Sequence, residues 1–265
     1  MTHGVPALPQ LPDVAGAQLV AFALVLARVG GLFVFAPVFS SRMIPGRVKV
    51  LVAGAFALAL TPIATKDQTI PTGAVEIATL TIKELVVGLA FALAIGVLAA
   101  AIASGAALLD TLTGFSLGAL IDPITNVQAS VFGQIYSVVA VMVFLLTGGD
   151  QLMVYGLVRS YDLLPLGTLP SGTLLAALAT DSLTQVTLTA IEIAAPVAIA
   201  LVLTDIALGI VSRAAPQLNV FFVGLPAKIL VAFTVAGAGF AFLVPHLESQ
   251  LESAVVHALH GLSPA

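Results

Sequence analysis

Long apolar runs, separated by short breaks that carry glycine, proline and charge, make up most of the chain. A helix needs about 20 mostly apolar residues to cross a bilayer. Six runs reach roughly that length: 17–39, 48–65, 85–109, 127–147, 186–210 and 220–245. The run 152–166 is interrupted by Arg159 and Asp162 and predicts a half-helix or an interfacial segment. The run 174–184 predicts a short helix begun by Ser171 or Thr173 after Pro170. Between the runs lie Pro45 and Gly46, Pro71, the stretch 110–126 with Gly114, Gly118 and Pro123, the pair Gly148 and Gly149, and Pro216. Such short connections favour antiparallel helical hairpins. Near the end, Leu247, Leu251, Ala254, Val255, Ala258 and Leu259 fall on one face of 246–260. That predicts an amphipathic helix, packed on its own protein or lying on a membrane or partner. The pattern therefore predicts an all-α integral membrane protein of about six long apolar helices in antiparallel hairpins.

Composition strengthens this reading. Of 265 residues, 60% are apolar and 8% charged, and mean hydropathy is +1.16. Soluble chains hold about 25% charged residues, so too little polar surface exists here to cover a soluble globule. The net charge of −4 and the scattered basic residues exclude the electrostatic footprint of a nucleic-acid binder. Cysteine is absent, and the four histidines (His3, His246, His257, His260) sit at the two ends, so neither thiolate nor histidine clusters predict a metal, and no cofactor is expected. The first 18 residues hold three prolines and no Lys or Arg. No signal-peptide n-region is therefore read there, and the first apolar run is expected to direct its own insertion. Arg42, Arg47, Lys49, Arg213 and Lys228 fall on one side of the predicted topology, and Lys66, Lys83 and Arg159 on the other. That bias favours both termini outside.

Charge inside the runs changes the picture. Arg28 and Asp205 lie deep in the first and fifth runs, Asp110 ends the third and Lys228 lies within the sixth. An ionised residue at the bilayer centre costs about 2.5–3.5 kcal/mol on insertion scales. Two readings are open for each: snorkelling from a helix end, or a polar path or subunit interface. Gly114-Phe115-Ser116-Leu117-Gly118 matches G-x-S-x-G, the nucleophile elbow of hydrolases. That elbow needs a strand before Ser116, and here an apolar helix precedes it. The stretch 110–126 joins Asp110 and Asp122 with glycines, Pro123 and the apolar Phe115, Leu117, Leu120 and Ile121. It reads either as a plain hairpin loop or as a loop that lines or closes a pathway, with glycine-flanked ends that swing and an apolar tip that excludes water. No phosphate-binding G-x-x-x-x-G-K-[ST] occurs.

Three stretches resemble one family. The first is Arg28-Val29-Gly30-Gly31-Leu32-Phe33, continuing through Pro37 to Ile44-Pro45-Gly46-Arg47-Val48-Lys49. The second is Lys83-Glu84-Leu85-Val86-Val87-Gly88, leading to Asp110-Thr111-Leu112-Thr113-Gly114-Phe115-Ser116 and Asp122-Pro123. The third runs from Asp205 through Arg213-Ala214-Ala215-Pro216-Gln217-Leu218-Asn219-Val220-Phe221 to Val223-Gly224-Leu225-Pro226-Ala227-Lys228-Ile229. Together they are similar to the FliR family of flagellar export proteins and its virulence-secretion relatives. The last block resembles the flagellar branch more closely.

The resemblance implies a non-enzymatic subunit of a type III protein export gate in the bacterial inner membrane, within the flagellar basal body. It implies FliP-like and FliQ-like membrane partners, an FlhB-like switch protein and unfolded export substrates. Residues 1–183 would be the FliP-like part, and 184–265 a FliQ-like hairpin with its tail. The family's plug loop falls on 113–123, which implies gating roles for Gly114, Phe115, Ser116, Gly118, Asp122 and Pro123. Arg28, Pro37, Pro45, Glu84, Asp110 and Asp205 become candidates for subunit contacts or intramembrane polar roles. Arg213, Pro216, Gln217, Asn219, Pro226 and Lys228 would form a cytoplasmic hairpin turn. Family members sit partly above the membrane plane, so several apolar runs need not face lipid. Three rival classes remain at this point: a secondary transporter, an intramembrane hydrolase acting through Ser116, and a purely structural assembly subunit.

Overall fold

The computed structural model describes residues 14–36, 39, 44–66, 68, 70–71, 73–116 and 130–262. Seven helices form among them: α1 (Val14–Phe35), α2 (Gly46–Ala64), α3 (Ala74–Thr113), α4 (Val131–Leu146), α5 (Gly149–Leu163), α6 (Gly172–Ala214) and α7 (Val220–Leu262). The described residues contain no strand. Five helices are long and apolar enough to cross a membrane, and α4 with α5, bent by 65° at Thr147 and Gly148, reaches that length only when the pair is counted together, as a broken span or a re-entrant loop. The chain is an all-α membrane protein.

Helix ends follow local chemistry. α2 starts directly after Pro45, whose carbonyl accepts Val48 N at 2.9 Å. Ser171 opens α6: its carbonyl accepts Leu175 N at 3.0 Å and its Oγ accepts Leu174 N at 3.3 Å. The run 174–184 is therefore not a separate short helix. It is the first part of α6, which continues through Gln185 and Pro196. α3 begins at Ala74, well before the expected 85, because it carries the Lys83-Glu84 charges inside the helix. α7 passes both Pro226 and Pro245, so the run 220–245 and the terminal segment 246–260 form one helix. Each proline removes one intrahelical hydrogen bond, a defect that long apolar helices tolerate when neighbours absorb it. α5 stops at Leu163, ahead of Pro165.

Hydroxyls are satisfied within the helices that carry them. Thr61, Thr81, Thr113, Thr147, Thr187 and Thr234 each donate to the carbonyl four residues earlier, at 2.7–2.9 Å. Such back-bonding lets threonine enter an apolar helix without exposing an unpaired donor to hydrocarbon.

The chain divides into two compact units. The first comprises residues 1–93, 154–175 and 259–265. Here α1 packs on α2, with Phe33 edge-on to Phe56 at 6.1 Å. α1 also meets the first half of α3 at backbone distance: a Cβ on Gly88 would strike the carbonyl of Arg28, and one on Gly31 would lie 2.8 Å from the Leu85 carbonyl oxygen. Gly88→Val is expected to force these helices apart. Because the obstacle is backbone, the penalty belongs at the upper end of the about 1–3 kcal/mol typical of overpacking. A thermal midpoint in mild detergent equal to the unsubstituted protein's would refute this.

The second unit comprises residues 94–153 and 176–258. Aromatic rings join α4 to α7: buried Phe132 stacks on the exposed Phe233 at 5.1 Å, and buried Tyr136 lies 5.1 Å from the half-buried Phe240. Gly105 of α3 brings that helix close to the Ala190 carbonyl of α6.

Candidate functional site

In the first unit, Arg28 and Glu84 are 1% and 0% exposed and form an ion pair, Nε to Oε2, at 2.5 Å. The rest of the guanidinium is also engaged. Nη1 donates to the Ser160 carbonyl and to Ser160 Oγ, both at 3.2 Å, and Nη2 donates to the Leu164 carbonyl at 3.0 Å. Those carbonyls lie at the end of α5, where the negative end of the helix dipole favours a cation, and the Ser160 carbonyl also accepts Leu164 N at 2.9 Å. The Tyr161 ring covers the guanidinium at 4.2 Å. The second oxygen of Glu84 accepts Gly167 N at 2.7 Å, while Lys83 Nζ donates to Gly167 O at 3.2 Å. Gly167 adopts φ +83°, a conformation that glycine tolerates. Arg28 of α1 and Glu84 of α3 thus form one receptor for the end of α5 and the turn after it. Neither snorkels to a helix end.

In the second unit, Asp110 lies in the last turn of α3 and is 5% exposed. Its Oδ1 accepts Phe132 N at 3.0 Å, and its Oδ2 accepts Gly133 N at 3.2 Å and Ser130 Oγ at 2.6 Å. Ser130 makes no side-chain cap of its own. The carboxylate of α3 instead caps the first turn of α4, where N–H groups are unpaired and negative charge is favoured. One side chain in the last turn of α3 therefore holds the start of α4. Gly114 ends α3 at φ +93°, a left-handed conformation suited to glycine. Phe115 follows, 6.1 Å from Phe132 and 6.5 Å from Phe233, on the edge of the aromatic cluster. Ser116 lies beyond a helix, not a strand, so the nucleophile-elbow geometry is not formed. Gly118, Asp122 and Pro123, like Pro37, lie outside the described residues.

The α6–α7 hairpin, also in the second unit, turns through 215–219. Leu218 N bonds the Ala215 carbonyl at 3.0 Å, and Asn219 Oδ1 caps α7 by accepting Phe221 N at 3.2 Å. Arg213, Pro216, Gln217 and Asn219 are exposed at this turn, and Pro226 is exposed within α7. Two and a half turns from the tip, Lys228 Nζ reaches Asp205 at 2.9 Å.

These three arrangements can hold helices and a loop in fixed relation. Among the described residues, no group of three or more His, Asp or Glu side chains is placed to bind a metal.

Comparison with known proteins is decisive at this point. The family described as bacterial export proteins, family 1, matches residues 19–254. This chain belongs to that family. It is 34% identical over 218 residues to the flagellar biosynthetic protein FliR of Bacillus subtilis (strain 168), covering 80% of this chain and 83% of that protein. Against the FliR of Escherichia coli (strain K12) the identity is 27%, covering 84% and 85%. The surface presentation of antigens protein SpaR of Shigella flexneri is 29% identical, covering 80% and 81%.

The matched span takes in the receptor around Arg28, the clasp around Asp110 and the α6–α7 turn. Sequence reasoning missed the partners: Lys83, Ser160, Leu164 and Gly167 in the first arrangement, and Ser130, Phe132, Gly133 and Phe233 in the second. Most act through backbone groups or ring packing, which no spacing rule marks. For Ser130 a signal existed, since a serine directly before an apolar run is a helix-start mark.

Proposed function

We propose that this chain is a subunit of the flagellar type III protein export gate, seated in the bacterial inner membrane within the basal body. In this reading it assembles with FliP-like and FliQ-like membrane subunits and an FlhB-like switch protein, and unfolded flagellar proteins pass through the shared channel. The observation that carries it is the near full-length match to the export family, with flagellar biosynthetic proteins among the relatives at 80% coverage or more. The junction of α3 with α4 supports it further. Asp110 ties the last turn of α3 to the start of α4 and Phe115 packs beside Phe132, an arrangement that suits a plug carried between those helices. Gly114, Phe115, Ser116, Gly118, Asp122 and Pro123 are its gating residues in this reading, and no residue is catalytic. Residues 1–183 act as the FliP-like part and 184–265 as the FliQ-like part. The turn at Arg213, Pro216, Gln217 and Asn219 faces the cytoplasm.

The test is to tag the chain, co-express it with its neighbouring genes and extract the membranes gently. The expected result is a stable complex with two other small apolar subunits. A monomer or homodimer alone would favour a secondary transporter and overturn the proposal. A second reading, a virulence secretion apparatus, draws on the matches to SpaR and to the secretion system apparatus protein SsaT of Salmonella typhimurium. Restored swimming of a flagellar-gate deletion strain decides between the branches.

A further inference from the structure

The Asp205–Lys228 pair is unevenly covered. Both carboxylate oxygens lie 2.9 Å from the ammonium, yet the Lys228 side chain is 20% exposed and that of Asp205 53%. The open part of the pair is therefore its acid. Asp205 also stands on a seam of α6. At helical spacing Val197 and Leu201 flank it on one side, and both are buried. Val202, Ile206, Ile199 and Ile210 flank it on the other, and all four are exposed. One turn further on, Gly209 leaves open space where a side chain would stand. Along the whole helix α6 carries three acids, Asp181, Glu192 and Asp205, against one base, Arg213.

Asp205 lies about 14 Å from the end of α6 at Ala214, at 1.5 Å per residue, within a helix apolar enough to cross a membrane. Acyl chains offer no hydrogen-bond donor, and an ionised carboxylate accepts up to about four bonds, of which Lys228 fills one at Oδ2. An apolar surface with one half-open acid is complementary to an apolar helix with one base.

We propose that this seam seats a membrane helix of a different subunit, apolar but for one Lys or Arg at membrane depth, whose cation closes on the open side of Asp205. The proposal rests on the export-gate reading, since it needs an assembled partner. Gly209 lets the incoming backbone approach, and the exposed branched side chains supply the packing.

The test places a photo-crosslinking amino acid at Ile206 in the tagged, co-expressed complex, leaving Asp205 native. The expected product is an adduct with a different membrane subunit, whose linked peptide lies within one helical turn of a Lys or Arg. Asp205→Asn should lower its yield about tenfold, and Asp205→Glu should restore it. An adduct with lipid alone, an adduct with a second copy of this chain, or a linked peptide with no base nearby overturns the proposal while leaving the export-gate reading intact. Purification of the chain with no other subunit overturns that reading and this proposal with it.

Discussion

Glu84→Leu is expected to destabilise the protein by about 3–5 kcal/mol, the range seen when one partner of a buried ion pair is removed. The reason is not the lost attraction alone. Arg28 would remain 1% exposed with a full charge and no counter-ion. Gly167 N would lose its acceptor at 2.7 Å. Arg28→Met should cost a similar amount for the mirror reason. It would leave Glu84 unpaired and the carbonyls of Ser160 and Leu164 without the guanidinium. The paired replacement, Arg28→Met with Glu84→Leu, should be less damaging than the two single effects summed, because both remove the same pair. It should still fall short of the native protein, since the Leu164 carbonyl and the Gly167 N–H lose their side-chain partners. Thermal unfolding of the purified complex in mild detergent, run as a double-mutant cycle, reads all three. Strict additivity would show that Arg28 and Glu84 do not act as a pair.

This cluster also shows where sequence reasoning reached its limit. The apolar runs were legible because a membrane helix must satisfy its own backbone and face apolar surroundings along its length. That requirement is written in composition. Arg28 and Glu84 could be marked as out of place in an apolar run or in a motif, but their pairing joins residues far apart in the chain. Their remaining partners are main-chain carbonyls and an N–H group, which every residue carries. Helix lengths were misread for the same reason. The run 85–109 is only the later part of a longer helix, because the fold buries Glu84 and lets α3 start at Ala74. The run 220–245 and the amphipathic segment 246–260 are joined, since α7 passes Pro245 and continues to Leu262. Asp110 was noticed for its place in a loop. That it caps a helix across the loop follows only when α3 and α4 are brought together.

Removing that cap gives the second large effect. Asp110→Ala should loosen α3 from α4 on either side of the segment 117–129, because Phe132 N, Gly133 N and Ser130 Oγ all lose their acceptor at once. Loss of a helix cap costs about 0.5–2 kcal/mol. With three donors stranded the upper figure applies, and about 2 kcal/mol changes a two-state ratio by about 30-fold. If the segment plugs an export channel, the assembled complex should then leak ions, seen as raised conductance in planar bilayers or as slowed growth in high salt. Asp110→Asn keeps one carbonyl oxygen as an acceptor and should leak less. Phe115→Ala should leak with the clasp intact, because it removes the ring beside Phe132 and Phe233 while leaving every bond to Asp110 in place. The two variants separate tether from plug: Asp110→Ala should also lower the thermal midpoint, and Phe115→Ala should lower it less. Native conductance from both, at native complex yield, would mean that the segment closes nothing and that Asp110 serves only to join α3 to α4.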